Sequence, residues 1–509
     1  MKEGTNNDKK RYFNLRNEIS EGAFDNIAEF YNKNENSFLK FENIFGINLW
    51  FLNHSRTYFS YRNFLFKEVF KKNDLVFSKE ARLNLITVIS RVAYEFLLIL
   101  IKYKRPKTNT TEYLIISNST DMLDKRNKRF GNLDYDMLYN RNILDIKKKK
   151  SSKDFDHRKM TNTDSIFLAY IFRFSFIVDL LKFNSHLNLL LKEISKDNNL
   201  LKNLEHRHIS HFFSKNRFFF YIIYLRFKSL NLYFRKLNIK GILLSDENSP
   251  QQKVMQYAAY RNNIQVFGFQ HGNIHPLHPA YIYGKYKTKP ILPTITFTWG
   301  SYFTDLLRNQ GGYPANKVKT VGRIPPINTK RKLNPLINEK DNIILYASQP
   351  QRDSNIRYKL LADILDTVNV LSPRYKLVIR PHPAEEDNDF FNKVAKDVGF
   401  RDFIIDRESD LNTHFKICNI FLVAFSTVGT EFISYFKPLL VLDYLEQDLM
   451  KWIDKGIGVP IRNKKDLLDK LSKSQIKINR EKYISFINKY YISNSNVLEK
   501  INNTMKNLH

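Results

Sequence analysis

Read for the spacing of its apolar positions, the chain changes texture twice. From residue 1 to about 110 those positions recur with the 3.6-residue period of helices and no alternating strand is evident, which predicts a helical extension. "TEYLIIS" (111–117) is the first short apolar run bounded by polar residues, the signature of a buried strand. Residues 118–164 are polar and charged, with "KKKK" at 147–150, and predict a loop or insertion. Helical periodicity resumes from 165 to 237.

Beyond that point strands and helices alternate. "IKGILLSDEN" (239–248) predicts a strand and loop, "SPQQKVMQYAAYRNN" (249–263) a helix, and "IQVFGFQHG" (264–272) a second strand. Ser249 is suited to cap the helix, Pro250 to open it, and Gln252 to complete a capping box. The order returns in "NIILYASQ" (342–349), "RYKLLADILDTVNVL" (357–371), "YKLVIR" (375–380), "RDFIID" (401–406), "CNIFLVAF" (418–425), a helix from "STVGTEFISYF" (426–436), and "PLLVLD" (438–443). Strand, helix, strand implies parallel sheets with crossover connections. The glycines, prolines and charges of 311–335 mark a linker between two such blocks. The expected layout is a helical extension at 1–110, an α/β domain at 111–325 with a polar insertion near 118–164, a second at 326–475, and a helical segment at 476–509.

Two segments raise the question of membranes. "LNLITVISRVAYEFLLILIKY" (83–103) is apolar enough to span, but Arg91 and Glu95 sit in its middle. A central charge costs about 2.5–3.5 kcal/mol on insertion scales, so a buried helix is predicted. "RFFFYIIYLRFKSLNLYFRK" (217–236) mixes aromatic and basic residues, and reads as a core helix with a solvated edge or as a helix lying on an anionic bilayer. "MKEGTNNDKKRYFN" is polar throughout and predicts no secretory signal at this start.

Composition narrows the classes. At 509 residues and 43% hydrophobic, the chain can bury sizeable cores. The one cysteine, Cys418, excludes an internal disulfide framework and a cysteine-based zinc cage, and fits a reducing compartment. A formal charge of +31 admits nucleic acid, an anionic membrane surface or anionic small substrates as partners. Abundant Lys, Asn, Ile, Phe and Tyr also indicate a biased genome composition as a source of the basicity.

In open α/β sheets ligands bind beyond the carboxyl ends of the strands, so the residues following each strand carry the chemistry. In the second block these are Ser348-Gln349, then Arg380-Pro381-His382-Pro383, then Ser426-Thr427-Val428-Gly429-Thr430-Glu431. Arg380 offers a planar fork of donors for phosphate, His382 a further donor on a backbone stiffened by two prolines. Ser426 to Thr430 bring hydroxyls and free N–H groups to a helix start, Gly429 allows close approach, and Glu431 could accept from a ribose diol. Together they describe a nucleotide mono- or diphosphate pocket. In the first block the strand ends are Ser245-Asp246-Glu247-Asn248 and Gln270-His271-Gly272, where Asp246, Glu247 and His271 are candidate general bases. His275 and His278 follow, but no ligand spacing for zinc is evident. "DYD" (134–136) and "DND" (387–389) match an Asp-x-Asp pattern in loop-like sequence, and no Walker loop, GxSxG or GxGxxG occurs.

"FGFQHG", "RPHP" and "FSTVGTEFI", in that order, resemble GT-B glycosyltransferases of bacterial surface polysaccharide synthesis. The groups in question are capsule Kdo transferases, polysialyltransferases, and the CDP-glycerol glycerophosphotransferases of teichoic acid synthesis. "FTWGSYFTDLLRNQGGYPANKVKTVGRIP" (297–325) resembles their crossover, and the likeness spans about 240–445. The resemblance implies a GT-B fold, with a Rossmann-like acceptor domain and a Rossmann-like nucleotide-sugar domain facing across a cleft. It implies that His382, Ser426 and Thr427 contact the donor phosphate, that Glu431 holds the ribose, and that His271 acts near the reacting centre. Asp246 or Glu247 loosely matches an acidic pair that supplies the base, although Asn248 stands where that pattern has glycine. The expected activity is metal-independent, inverting transfer from a nucleotide-sugar, first of all a CMP-activated acidic sugar, to a glycan or lipid-linked acceptor of capsule or lipopolysaccharide. No cofactor or nucleic-acid partner is expected. The expected setting is cytoplasmic, with peripheral contact at the inner face of an anionic membrane. The alternatives are a CDP-glycerol or CDP-ribitol polyol-phosphate transferase and, more distantly, a basic nucleic-acid-binding protein.

Overall fold

The computed structural model describes residues 6–69, 111–117, 133–139, 166–167, 170, 175–195, 204–245, 247–324, 333–349, 354–382, 385, 388–444, 448, 450–473, 476–492 and 496–508. The apolar segment 83–103 and the lysine run at 147–150 lie outside these residues. The chain divides into two compact units: an N-terminal unit of 19–323 with 494–509, and a C-terminal unit of 324–493 with 1–18.

The N-terminal unit is built on one parallel sheet. Its strands are β1 (Tyr113–Ser117), β2 (Tyr135–Tyr139), β3 (Gly241–Leu244), β4 (Gln265–Phe269), β5 (Ile295–Thr298) and β6 (Val318–Thr320), in the order β2-β1-β3-β4-β5-β6. The apolar side chains of β1, β3 and β4 are buried, as parallel strands covered on both faces require.

Within the helical extension, residues 19–64 supply a second core to this unit. Helices α1 (Asn6–Phe45) and α2 (Leu49–Phe64) meet at Asn48, whose side chain caps α2 by accepting from the Trp50 N–H and donates to Glu42 (2.8 Å). Tyr31, Phe38, Trp50 and Phe51 interlock there with Phe213 and Tyr286. The same helices hold the long β4–β5 connection. Asn32 donates to the Lys285 carbonyl (3.1 Å) and accepts from the Lys287 N–H (3.0 Å), while His54 packs on the rings of Tyr283 and Tyr286. Helices α3 (Ser175–Ile194), α4 (Leu204–Lys215) and α5 (Arg217–Phe234) complete the helical layer. The aromatic-basic segment proves to be core: Phe219, Phe220, Ile222, Ile223, Tyr224 and Phe227 of α5 are buried. No helix among the described residues is long and apolar enough to cross a membrane.

Between β3 and β4 runs α6 (Pro250–Tyr260), which Ser249 caps by accepting the Gln252 N–H (3.4 Å). The reciprocal half of the expected capping box is absent, because the Gln252 amide is buried and finds no partner. Helix α7 (Ser301–Asn309) joins β5 to β6.

The C-terminal unit has a second parallel sheet of β7 (Ile343–Ala347), β8 (Lys376–Arg380), β9 (Phe403–Ile405), β10 (Ile420–Val423), β11 (Leu439–Leu442) and β12 (Gly458–Ile461). Its order is β12-β11-β10-β7-β8-β9. The chain builds outward from β7 through β8 to β9, then returns to the other side of β7 for β10, which makes β7 and β10 the switch point. Helix α8 (Ser354–Val370) covers the sheet with Leu361, Ile364, Leu365 and Val368, packed against Ile344, Leu377 and Leu422. Burying each such side chain contributes about 1.5–3 kcal/mol. Helices α9 (Asp389–Val398), α10 (Leu411–Ile417), α11 (Thr427–Phe432), α12 (Lys464–Ser472) and α13 (Arg480–Tyr490) follow. Tyr483 of α13 donates to the Ile457 carbonyl (3.0 Å). The last helix, α14 (Val497–Lys506), belongs to the N-terminal unit, where Leu508 accepts from Gln265 (2.9 Å). Cys418, at the end of α10, is fully buried, and burial pushes its thiol up to about 12.

The α/β class with two parallel, Rossmann-like sheets is borne out. Two local expectations are corrected. The stretch 118–164, expected to be a loop or insertion, contains a strand, β2, which pairs with β1 in register from Tyr135↔Tyr113 to Tyr139↔Ser117. The stretch expected to be linker from 311 contains β6, a three-residue edge strand.

Candidate functional site

In the C-terminal unit the three predicted strand ends are neighbours, since β10, β7 and β8 lie side by side. They are also tied together. The Ser348 N–H donates to the Arg380 carbonyl (3.0 Å), joining β7 to β8. Gln349 Oε1 accepts the Phe425 N–H (2.8 Å), so this side chain bridges β7 to β10 across the switch point.

The turn after β8 is held by a residue not singled out in the sequence, Glu385. Its Oε2 accepts the His382 N–H (2.9 Å) and its own N–H donates to the His382 carbonyl (2.8 Å). Oε1 accepts the Ser348 hydroxyl (3.0 Å) and pairs with Arg357 Nη2 (2.8 Å). The Arg357 guanidinium carbon lies over the Phe390 ring, 3.6 Å from its centroid. Arg407 donates to the Glu385 carbonyl and, through Nε, to Asn388 (3.0 Å). Glu385 is buried, whereas the His382 side chain it holds is half-exposed.

Arg380 does not stand out alone as a phosphate fork. Its Nη1 donates to the carbonyls of Asp406 (3.1 Å) and Ser409 (2.9 Å), anchoring the loop after β9. That loop is organised by Asp406, which accepts from the Glu408 N–H (2.9 Å), the Ser409 N–H (3.1 Å), the Ser409 hydroxyl and His414 Nε2 (2.9 Å). Burial acts to raise the Asp406 carboxyl, yet hydrogen bonds from Ser409 and His414 together hold it below its ordinary range. Burial pushes the His414 imidazole down, with the Asp406 carboxylate opposing.

Beyond β10, Ser426 caps α11, its Oγ accepting the Val428 N–H (3.5 Å). Ser426, Thr427 and Glu431 are half-exposed. Gly429 and Thr430 are buried against Trp452 instead: a Cβ on Gly429 would stand 2.4 Å from the indole, and the indole N–H donates to Thr430 Oγ1 (3.2 Å). Glycine is therefore required at 429 by the tryptophan behind the turn.

The N-terminal unit arranges its strand ends differently. Glu247 is fully buried, with Oε1 accepting from the Tyr313 hydroxyl (2.9 Å) and Oε2 from the Thr296 hydroxyl (2.9 Å). It rests on Gly268 of β4, where a Cβ would fall 1.7 Å from Glu247 Oε2. Burial, and next the charge of Glu247, push the Tyr313 phenol well above its ordinary value. Gln270 closes the turn after β4: Nε2 donates to the Gly272 carbonyl (2.8 Å) and Oε1 accepts the Trp299 N–H (2.9 Å). His271 is exposed on that turn. The neighbouring rings of His275 and His278 lie 5.3 Å apart, and His278 is pushed down to about 3, chiefly by burial and then by His275 and His271. Among the described residues no group of three or more His, Cys, Asp or Glu could hold a metal ion.

Of the residues expected to carry chemistry, His382, Ser426, Thr427 and Glu431 are half-exposed around one sheet edge, with Arg380 alongside, and Ser348 and Gln349 lie buried beneath. His271 is exposed, Glu247 is sealed, and Asp246 lies outside the described residues. Glu385, Arg357 and Trp452 were missed. The one signal for Glu385 is its position three residues after His382, the spacing at which a carboxylate reaches back to a backbone N–H.

No protein-family model matches the chain, and no curated protein matches it in sequence. Among solved structures it is similar to a putative UDP-N-acetylglucosamine 2-epimerase from Listeria monocytogenes, at 11% identity over 79% of this chain and 97% of that one, with a TM-score of 0.47. It is similar to UDP-GlcNAc 2-epimerase from Neisseria meningitidis, at 14% identity over 78% and 99% of the two chains, TM-score 0.44. It is also similar to the wall teichoic acid polymerase TagF, at 12% identity over 83% and 98%, TM-score 0.43. The fold class stands on the two parallel sheets themselves, and any activity must be argued from the residues at their edges.

Proposed function

We propose that this protein is an inverting, metal-independent glycosyltransferase that moves a sugar from a nucleotide-activated donor to a bacterial surface glycan such as capsule or lipopolysaccharide. One observation carries the reading. At the β7–β10 switch point the polar groups Ser348, Gln349 and Glu385 are bonded to the frame, while His382 and the Ser426–Thr427 turn stay half-exposed beside them. That is the arrangement of a rigid cradle with polar groups at a surface that a ligand can reach.

In this reading the donor phosphate lies against His382 and the start of α11. As the glycosidic C–O bond breaks, negative charge grows on the departing phosphate oxygen. The His382 ring N–H and the Ser426 and Thr427 groups stabilise it without having to reorganise. Glu431 accepts from the ribose. The acceptor hydroxyl attacks the anomeric carbon from the face opposite the phosphate, which inverts the centre, and a base takes its proton. Glu247 is ill suited to be that base, since both its oxygens already accept from hydroxyls. His271, exposed on the turn after β4, is the better candidate, and Asp246, next to Glu247 in sequence, is the alternative. A CMP-activated acidic sugar is the first donor to try. The +31 charge suits an anionic donor and a lipid-linked acceptor at the inner face of an anionic membrane.

The test is nucleotide release from CMP-, CDP-, UDP- and GDP-activated donors, with oligosaccharide or lipid-linked acceptor. Release with a new glycosidic bond supports the reading. A new phosphodiester instead identifies a polyol-phosphate transferase using CDP-glycerol or CDP-ribitol. No release with any donor overturns it.

A further inference from the structure

We infer that Glu385 is a positioning residue for His382: it fixes the backbone from which that imidazole meets the donor phosphate. The inference rests on the nucleotide-donor reading and extends it to a residue outside the three strand-end motifs.

The geometry is specific. A turn that follows a strand and carries a functional histidine has two loose variables, the orientation of the peptide before the histidine and the height of the turn above the sheet. Glu385 restrains both. Its Oε2 takes the His382 N–H (2.9 Å) while its own N–H returns to the His382 carbonyl (2.8 Å), so the histidine is gripped on both sides of its Cα. Its Oε1 takes the Ser348 hydroxyl (3.0 Å), which pins the turn after β8 to the end of β7. The Glu385 side chain is only 3% exposed, so its charge needs an answer inside the protein, and Arg357 supplies it at 2.8 Å. Arg357 is itself held over Phe390. These contacts are made by the backbone of His382 and not by its imidazole.

A carboxylate is needed here rather than an amide. All three groups aimed at Glu385, the His382 N–H, the Ser348 O–H and the Arg357 guanidinium, are donors. Glutamine has nearly the same shape, but whichever way its amide lies, its NH2 faces at least one of these donors. Glu385→Gln should therefore release the turn while changing little of the volume.

The experiment is a double-mutant cycle of Glu385→Gln and His382→Ala, measured as kcat and KM for the donor found above. If Glu385 acts through His382, Glu385→Gln lowers kcat roughly 10²-fold in the wild-type background. In the His382→Ala background it then costs less than about 3-fold, because a residue acting only through another has nothing left to position. Equal losses in both backgrounds overturn the inference while leaving the glycosyltransferase reading intact. A wild-type protein that neither turns over any donor nor binds CMP, CDP, UDP or GDP overturns both. Should Glu385→Gln fail to fold, Ser348→Ala removes one arm of the same clamp. It should show the same non-additivity with His382→Ala at about a 3- to 10-fold loss, and additivity there would overturn the inference equally. Hydrogen exchange at the His382 amide gives a readout independent of turnover. It should be slow in the wild type and at least about 10-fold faster in Glu385→Gln, and an unchanged rate would show that the carboxylate does not hold that N–H.

Discussion

Two buried glutamates, one in each unit, sit just beyond the strands of a parallel sheet and do opposite jobs. Glu247 follows β3, accepts hydrogen bonds from the hydroxyls of Tyr313 and Thr296, and lies on the bare backbone of Gly268. Glu385 follows β8, is answered by Arg357, and grips the backbone of a half-exposed histidine. The first seals the sheet edge. The second holds the backbone of a residue that solvent reaches. The units otherwise share a device: a glutamine at a strand end, Gln270 or Gln349, accepts the N–H that follows a neighbouring strand. The comparison teaches that a carboxylate at a strand end, even at the right edge of the right sheet, is not yet a catalytic group. What separates the two roles is whether its partners end in the core or in a side chain that solvent can reach.

The contrast breaks most sharply at His382. His382→Ala should lower kcat about 10²- to 10³-fold, as loss of one donor to a developing oxyanion does. The thermal midpoint should move little, because the half-exposed ring is not core. Unfolding in parallel with the activity loss would make His382 structural. Next in size is Gly268→Ala, whose methyl has no room unless the sealed Glu247 carboxylate moves, with Pro293 also close at 3.0 Å. A loss of about 3 kcal/mol in urea unfolding is expected, and a neutral result would show that Glu247 is free to swing. Smaller again is Glu247→Gln, for which about 2 kcal/mol follows from weakening hydrogen bonds to a charged acceptor. If the folded variant instead lost 10²-fold or more in kcat, Glu247 would regain the role of base.

A further test concerns pH. Buried His54, packed on the tyrosines of the β4–β5 connection, is pushed down to about 3 by burial and then by the charge of Lys253. Its unfolded value is near 6.5, so between those limits the unfolded chain binds the extra proton. Its contribution is complete above pH 6.5 and is lost progressively as pH falls toward 3. His54→Phe should therefore flatten the decline of the thermal midpoint between pH 6.5 and about 4, and an unchanged slope would show that this ring is not responsible.

The central strands were legible because burial on both faces leaves an unbroken apolar run, as in the Ile-Ile-Leu-Tyr-Ala of β7 or the Ile-Phe-Leu-Val of β10. The strands left out had reasons to be hidden. β2, β6 and β12 are all sheet edges, and β2 carries Asp136 within it. β5 reads Ile-Thr-Phe-Thr, and its threonines tolerate burial only because Glu247 and Thr304 accept or share their protons. The location of the site followed from alternation alone, since alternation fixes which strand ends share an edge. The direction of each side chain did not. Nothing local says that Ser348 turns to Glu385, that Arg380 reaches the loop after β9, or that Gly429 makes way for Trp452. Those partners come from other elements of the sheet and become neighbours only when it forms.

Cys418 has a practical bearing on all of this. It is the chain's single sulfhydryl, fully enclosed, with its thiolate form held far out of reach at neutral pH. The native protein should therefore react slowly with alkylating reagents and mild oxidants. A cysteine introduced at any exposed position would be the sole reactive nucleophile of its kind, so a spin label or fluorophore can be attached to either unit without first altering the core.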